Sequence, residues 1–352
     1  FKLCTDDHGV FNGSDEAAAK GLGGHERVGA LQFLKAPQPG LVVPPVCLVD
    51  YHGFRVLCVA KLPLLWRRFD DTANFRGEKS VLVHGTVDRG KHVANDSKVL
   101  AQRLANVAQR LNLARHGVRG TQDVTSRQLA VPVDLRGYRE CSSPGARAFY
   151  LLNFWRLYPP EHPAASARHL PPAAREQAVL YRRLRPEFVA AYEKPLSSDA
   201  NNIATYNTSD WLEHLEENER ASAKLINETL PAFAEWLATR AIPPARCAAN
   251  DFANFDLTNN LHQRGINVRH LGLLRTLFWR KLPFGANVQY HHHRVYPQGD
   301  LTLEVARGEQ VDIGGELYRV STNPKHEVSA TAVTLSERVL QLSANNVEVW
   351  AG

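Results

Sequence analysis

Methionine is missing from all 352 residues, where an average composition would supply on the order of seven. Five cysteines, Cys4, Cys47, Cys58, Cys141 and Cys247, form an odd number at wide spacing, with no C-x-x-C pair and no histidine at zinc-ligand spacing. A disulfide framework and a zinc finger are thereby excluded, and reduced thiols in a cytosolic-type compartment are expected. No apolar run approaches the roughly 18 residues that a membrane helix needs, and Phe1 opens neither a recognisable signal peptide nor a transit peptide. A cytoplasmic chain without membrane insertion is the expectation. The common catalytic signatures are absent too: no G-x-S-x-G, no Walker loop, no G-x-G-x-x-G after a strand, and GHERV at Gly24 to Val28 is not H-E-x-x-H.

What is present is the composition of a globular protein, with 44% hydrophobic residues and length for two or three domains. The charge is modestly basic, 42 Lys and Arg against 36 Asp and Glu, for a net +6. A polyanionic partner is permitted by that balance, without being required by it. The histidine cluster His291, His292 and His293 falls in a strand-like run. Adjacent strand residues point to opposite faces, so the three do not converge on one ion and no metal site is expected.

Along the chain, residues 1–40 read as a lead-in with one short helix, capped by Ser14 and ended by Gly21 and Gly23. Leu41 to Leu65 and Lys79 to Val93 read as strands of one small antiparallel sheet, with Pro44, Pro45 and a Gly53 turn. Val99, Leu100, Leu104, Val107 and Leu111 follow a helical period and predict a helix packed on that sheet. Val131 to Tyr158 predicts a hairpin whose FYLLNFWRLY strand is buried on both faces; Pro159 and Pro160 stop it, and a loop runs to Ala174. Arg175 to Tyr192 and Ser209 to Arg240 are helical patterns, and strand and turn signals return after Pro283. The fold class is α+β, with a domain over residues 41–282 and a β-rich module over 283–352.

Four segments identify a family by their order. LHQRGINVRHLG (Leu261 to Gly272) carries Gly265, Asn267 and Gly272; VCLVDYHGFRVLCVAKLPL (Val46 to Leu64) carries Asp50, Gly53 and Arg55. HGTVDRGKHV (His84 to Val93) carries Gly85, Asp88 and Gly90, and the hairpin from Val131 to Glu161 carries Arg156. LRPEFVAAYEKPLSSDA (Leu184 to Ala200) follows in register. Together they resemble the clustered-mitochondria (Clu) domain family over Val46 to Arg280. The resemblance implies a non-catalytic cytosolic protein linked to mitochondrial distribution, to binding of messenger RNA for mitochondrial proteins and to translation, with RNA or ribosome-associated proteins as partners and no cofactor. Whole family members also carry helical repeats that this chain lacks. The C-terminal module would then dock a protein partner, in the role of a scaffold.

An alternative reading is a kinase-like fold, as a phosphotransferase or a nucleotide-binding relic taking ATP and Mg. VLCVAKL places Lys61 at a strand end, like the phosphate-holding lysine of a kinase, and Asp134 precedes LLNF by roughly the separation between a catalytic aspartate and the aspartate of a DFG motif. The metal position is Asn153, where the family pattern often has Asp, and a neutral amide is a poorer magnesium ligand than a carboxylate. No Gly-rich loop precedes Lys61. The blander readings are a lysine stem lying along the sheet and an aspartate capping its own turn.

For RNA, arginines supply phosphate contacts and aromatic rings supply stacking faces. Arg264, Arg269, Arg275 and Trp279, with Arg280, Lys281 and Phe278 nearby, form one candidate surface. Arg175, Arg182, Arg183, Arg185 and Tyr181 form a second. Either set also suits an ordinary solvated helix face.

Overall fold

The computed structural model describes residues 1–6, 11, 13–62, 64, 81–139, 148–167, 170, 172–241 and 255–281, and the backbone of four short strands beyond them. Its contacts separate a first unit, residues 1–230 and 256–268, from a second, residues 231–255 and 269–352. The fold is mixed α+β.

The lead-in is more helical than its glycines suggest. Ser14 caps the helix Asp15–Ala18, its hydroxyl accepting from the Ala17 amide at 3.2 Å. The chain then continues without a break through a wider π-helical stretch, Ala19–His25, into the helix Glu26–Lys35. Gly21 and Gly23 do not end it. They are small because neighbours press in: a Cβ on Gly23 would lie 2.9 Å from the Arg55 Cδ, and one on Gly29 only 2.4 Å from the Phe154 carbonyl oxygen. At that approach Phe33 and Phe154 meet edge to face, their ring centroids 5.1 Å apart.

Two sheets replace the single one expected. Val46–Tyr51 and Phe54–Val59 form an antiparallel hairpin, and Lys2–Leu3 adds to its edge. The hairpin turn is His52-Gly53, both with positive φ (47° and 82°), the form whose twist matches the flanking strands. The second sheet has five strands in the order Leu41–Val42, Phe149–Leu152, Arg136–Arg139, Val81–Gly85 and Ala94–Asn95. Pro44 and Pro45 lie between Leu41–Val42 and Val46–Tyr51, and without amide hydrogens they cannot donate to a ladder. Leu41–Val42 therefore goes to one sheet, pairing parallel to Phe149–Leu152, and the hairpin goes to the other.

The helix Lys98–Arg110 starts at Ser97, whose hydroxyl accepts from the Leu100 amide at 3.2 Å. It buries Leu100, Leu104 and Val107, each worth on the order of 2 kcal/mol of apolar burial. Leu100 packs over Gly137 of the five-stranded sheet, where a Cβ would come within 2.7 Å of it. The FYLLNFWRLY run is a strand only over Phe149–Leu152. Asn153 turns left-handed at φ 72° and ends it, donating from Nδ2 to the Asp134 carbonyl at 2.7 Å.

The helical half is also more segmented than its periodicity. Pro163–Ser166 is a helical turn within the expected loop, and Pro172–Tyr181 and Pro186–Ala191 are two helices, each entered through a proline suited to the first turn. Trp211–Lys224 continues through a π segment, Leu225–Thr229, into Leu230–Ala241. In the first unit Leu257–Gln263 is followed by Gly265 at φ 72°, against Phe188. The second unit contains the helix Leu271–Lys281, which ends in Arg280 and Lys281. Beyond residue 281 only the strands His293–Val295, Leu301–Leu303, Gln310–Ile313 and Glu316–Arg319 are described, as two antiparallel pairs. The expected β-rich module, and His291 and His292 with it, otherwise lie outside the described residues. Among the described residues no helix is long and apolar enough to cross a membrane.

Candidate functional site

The family-motif side chains in the first unit act as fasteners. Arg55 grips Asp50 across the hairpin with two hydrogen bonds, 2.6 and 2.7 Å. Asp88 accepts from the Thr86 hydroxyl and the His92 amide, closing the turn in which Arg89 and Gly90 have positive φ. Gly85, at φ 88°, lies where a Cβ would strike the Leu135 carbonyl. Asn267 donates from Nδ2 to the Arg183 carbonyl at 2.9 Å and to Glu161 Oε1 at 3.3 Å. Gly272 has open space around its Cβ position, so no packing demand explains it.

Lys61, Asp134 and Asn153 are divided between two settings. Lys61 and Asn153 line one cavity of about 300 Å³, together with Lys2, Arg136 and Trp155, whereas Asp134 lies outside its lining. The Asp134 carboxylate is held by Arg156 Nη1 at 2.7 Å, with both side chains mostly buried. Glu26 also faces this cavity. Burial raises its carboxyl to about 7, against the backbone amides of Phe154, Trp155 and Asn153 that favour its charged form. The cavity therefore combines exposed ammonium groups on Lys2 and Lys61 with a carboxyl that changes charge near neutrality. Among the described residues no group of three or more His, Cys, Asp or Glu side chains is placed to hold a metal ion.

The most heavily buried ionic group escaped sequence reasoning. His116 donates from Nε2 to Asp199 Oδ2 at 3.0 Å and from Nδ1 to the Ala114 carbonyl at 3.0 Å. Asp199 also accepts from the Val133 amide at 2.7 Å and from Asn202 at 2.9 Å. Burial alone would raise the Asp199 carboxyl, but the hydrogen bond and charge of His116 reverse this and lower it to about 2. Burial likewise disfavours the imidazolium of His116, and Asp199 outweighs it, raising its pKa. His84, equally buried, has no hydrogen bond of ordinary geometry to either ring nitrogen, and burial pushes it down to about 4. His116 and Asp199 are at most 1% exposed, so the pair joins segments and offers no surface to a substrate. Its partners are 83 residues apart and no local motif links them.

The candidate RNA residues do not all lie in one unit. Arg264 belongs to the first, with its Nη1 3.4 Å from the Asn260 carbonyl; Arg269, Arg275 and Trp279 belong to the second. Of the other set, Arg183 is only 2% exposed, correcting its reading as a solvated residue. It lies two residues beyond the helix Pro172–Tyr181 and pairs as an isolated antiparallel bridge with Pro160. Arg182 donates to the Ser166 carbonyl, Arg175 to the Leu170 carbonyl, and Arg185 forks onto Glu187 at 3.0 and 3.1 Å.

A second cavity, of about 180 Å³, opens beside Arg183. Lys20, Arg27 and Arg185 also line it, with Trp155 and Asn267. No motif pointed to it, because its wall is drawn from the lead-in helix, the segment after Phe149–Leu152, the bend at Arg183 and the turn after Gly265.

Comparison with known proteins points to the same family as the resemblance. The family model described as Clustered mitochondria matches residues 1–163. The lead-in is thus inside the match, while the segments at Leu184 to Ala200 and Leu261 to Gly272 lie beyond it. The "Clustered mitochondria protein" of Arabidopsis thaliana is 26% identical over 192 residues, 54% of this chain and 12% of the relative. The "Clustered mitochondria protein homolog" of Caenorhabditis briggsae is 28% identical over 155 residues, 44% of this chain and 11% of the relative. The matched stretch is thus about a tenth of the length of either relative. No solved structure matches the chain. The Asp50–Arg55 hairpin, the turns at Gly85 and Gly90 and the Asp134–Arg156 pair all fall inside the stretch, residues 1–163, that is similar to the family described as Clustered mitochondria.

Proposed function

We propose that this chain is a non-catalytic, cytoplasmic clustered-mitochondria-type protein that works by binding, with RNA or ribosome-associated proteins as partners and mitochondrial distribution as the process served. The observation that carries the non-catalytic part is the engagement of Asp134. A catalytic-loop aspartate must accept a proton from a substrate hydroxyl and so needs a free, accessible carboxylate. Here Arg156 occupies it at 2.7 Å, and the Asn153 amide is turned toward the Asp134 backbone. Both groups are spent on holding the hairpin.

RNA contact is assigned to Arg264, Arg269, Arg275 and Trp279, and a protein partner to the C-terminal segment. The test is a thermal-shift titration with ATP and magnesium beside RNA crosslinking on the same sample. Crosslinking without a magnesium-dependent ATP shift supports the reading. Phosphoryl transfer that disappears in Asp134→Ala overturns it, and loss of crosslinking in wild type at low salt leaves the scaffold role alone.

A further inference from the structure

We propose that Cys47 and Cys58 form a surface dithiol that is modified by thiol–disulfide exchange, with a small-molecule disulfide such as oxidised glutathione as its reactant and a Cys47–Cys58 bond across the hairpin as its product.

No short cysteine motif joins the two, yet strand pairing sets them directly opposite one another, Cys47 on Val46–Tyr51 against Cys58 on Phe54–Val59. Opposed residues of an antiparallel pair point to the same face. That face is the open one. The next pairs along it are Val49 with Val56 and Tyr51 with Phe54, and Val49, Tyr51 and Phe54 are 44%, 68% and 58% exposed. Leu48 and Arg55 point the other way, against Gly23. Cys47 is exposed and Cys58 half-buried, whereas Cys4 is buried on the Gly23 side and out of reach. The Cys47 thiol lies 3.7 Å from the Leu48 carbonyl, a weak sulfur hydrogen bond that does not protect it from exchange.

The Ala60 amide donates to the Pro45 carbonyl at 3.0 Å. Hydrogen-bonded pairs recur at every second position, so Cys47 and Cys58 are such a pair, with Cα atoms about 5.5 Å apart, inside the span of roughly 4.4 to 6.8 Å that disulfides bridge. Their Cβ atoms must still approach by roughly 1 Å. Val46–Tyr51 is the edge strand of its sheet and the pair is next to the open end of the hairpin, so that shift is available. A bond that draws strands together reopens readily, which suits an exchange site better than a structural one.

The exchange balances in two displacements. The Cys47 thiolate attacks one sulfur of oxidised glutathione, and the other half leaves as a thiolate that takes up the proton Cys47 gave to solvent. The Cys58 thiolate then attacks the Cys47 sulfur and expels the second glutathione in the same way. Two protein thiols are oxidised to one disulfide and one oxidised glutathione is reduced to two thiols.

The test is incubation of the full chain with oxidised glutathione, an alkylating quench, and mass spectrometry of the tryptic digest. Cleavage after Arg55 places the two cysteines on separate peptides, Ala36 to Arg55 and Val56 to Lys61, so the bond is read as a linked pair. The linked pair should form, disappear with excess reduced glutathione, and exceed the Cys47 adduct by a ratio at least ten-fold higher in the native chain than in urea. Cys58→Ser should halt the reaction at a glutathione adduct on Cys47. A stable Cys47 adduct without linkage in wild type overturns the proposal, as does linkage of either cysteine chiefly to Cys141 or Cys247, which lie outside the described residues, or a ratio equal in urea. RNA crosslinking can succeed or fail without altering this result.

Discussion

Arg156 holds Asp134 at 2.7 Å, and Asn153 returns its amide to the carbonyl of the same residue. One aspartate thus fastens the two arms of the hairpin at both its side chain and its backbone. The positions that in a phosphotransferase would hold a proton and a metal are here a clasp.

Breaking the clasp should cost stability. Asp134→Ala leaves a mostly buried Arg156 without its carboxylate, so a loss of about 2 kcal/mol is expected. Urea denaturation measures it. A midpoint equal to that of wild type would mean that the carboxylate is held for another purpose.

Gly265→Ala should destabilise the first unit more than its single methyl suggests. The residue has φ 72°, and its new Cβ would lie 2.4 Å from the Phe188 Cβ and 2.5 Å from that residue's backbone. Strain and overlap together should cost about 2 to 4 kcal/mol. The accompanying drop in melting temperature is the check, and its absence would require the turn to be remade elsewhere.

Acid should weaken the fold in two steps. His84 has a pKa near 4 when folded and near 6.5 when not, so an unfolded chain takes up that proton first and stability falls as pH drops from 6.5 to 4, by at most about 3 kcal/mol. Asp199 contributes above its ordinary value of 3.8, and that contribution is lost as pH falls toward 2. Glu26 runs the other way, since a carboxyl raised to about 7 costs stability as pH rises from 4.5. Denaturation midpoints of His84→Leu at pH 6.5 and 4.5 should differ less than those of wild type. An equal difference would assign the acid slope to other groups.

Truncation separates the segments. Residues 1–282 keep Ile266, which is fully buried, and Asn267 with its bonds to Glu161 and Arg183, and should give a cooperatively unfolding product. Residues 1–255 lose both and should unfold at lower denaturant with a bared Phe188 face. Equal midpoints for the two would show that 256–268 adds nothing to the first unit.

Much of the architecture was legible locally because local physics decides it. The Ser14 and Ser97 caps, the His52-Gly53 turn, the amphipathic period of Leu100, Leu104 and Val107 and the α+β class each depend on a few consecutive residues. The resemblance to the Clustered mitochondria family is likewise carried by short motifs. Tertiary structure decided what those residues serve. Gly23 looks like a helix end in sequence, yet it admits Arg55 from far along the chain, as Gly29 admits Phe154. Pro44 and Pro45 hint at an interruption, but only strand pairing shows that it separates two sheets. His116 and Asp199, 83 residues apart, and the cavity between Lys20 and Arg183 have no sequence signature, because the contacts that define them are made by chain closure over long distances. Spacing along the chain carries no information about which charges share a low-dielectric interior, and that sharing sets their pKa values and their use.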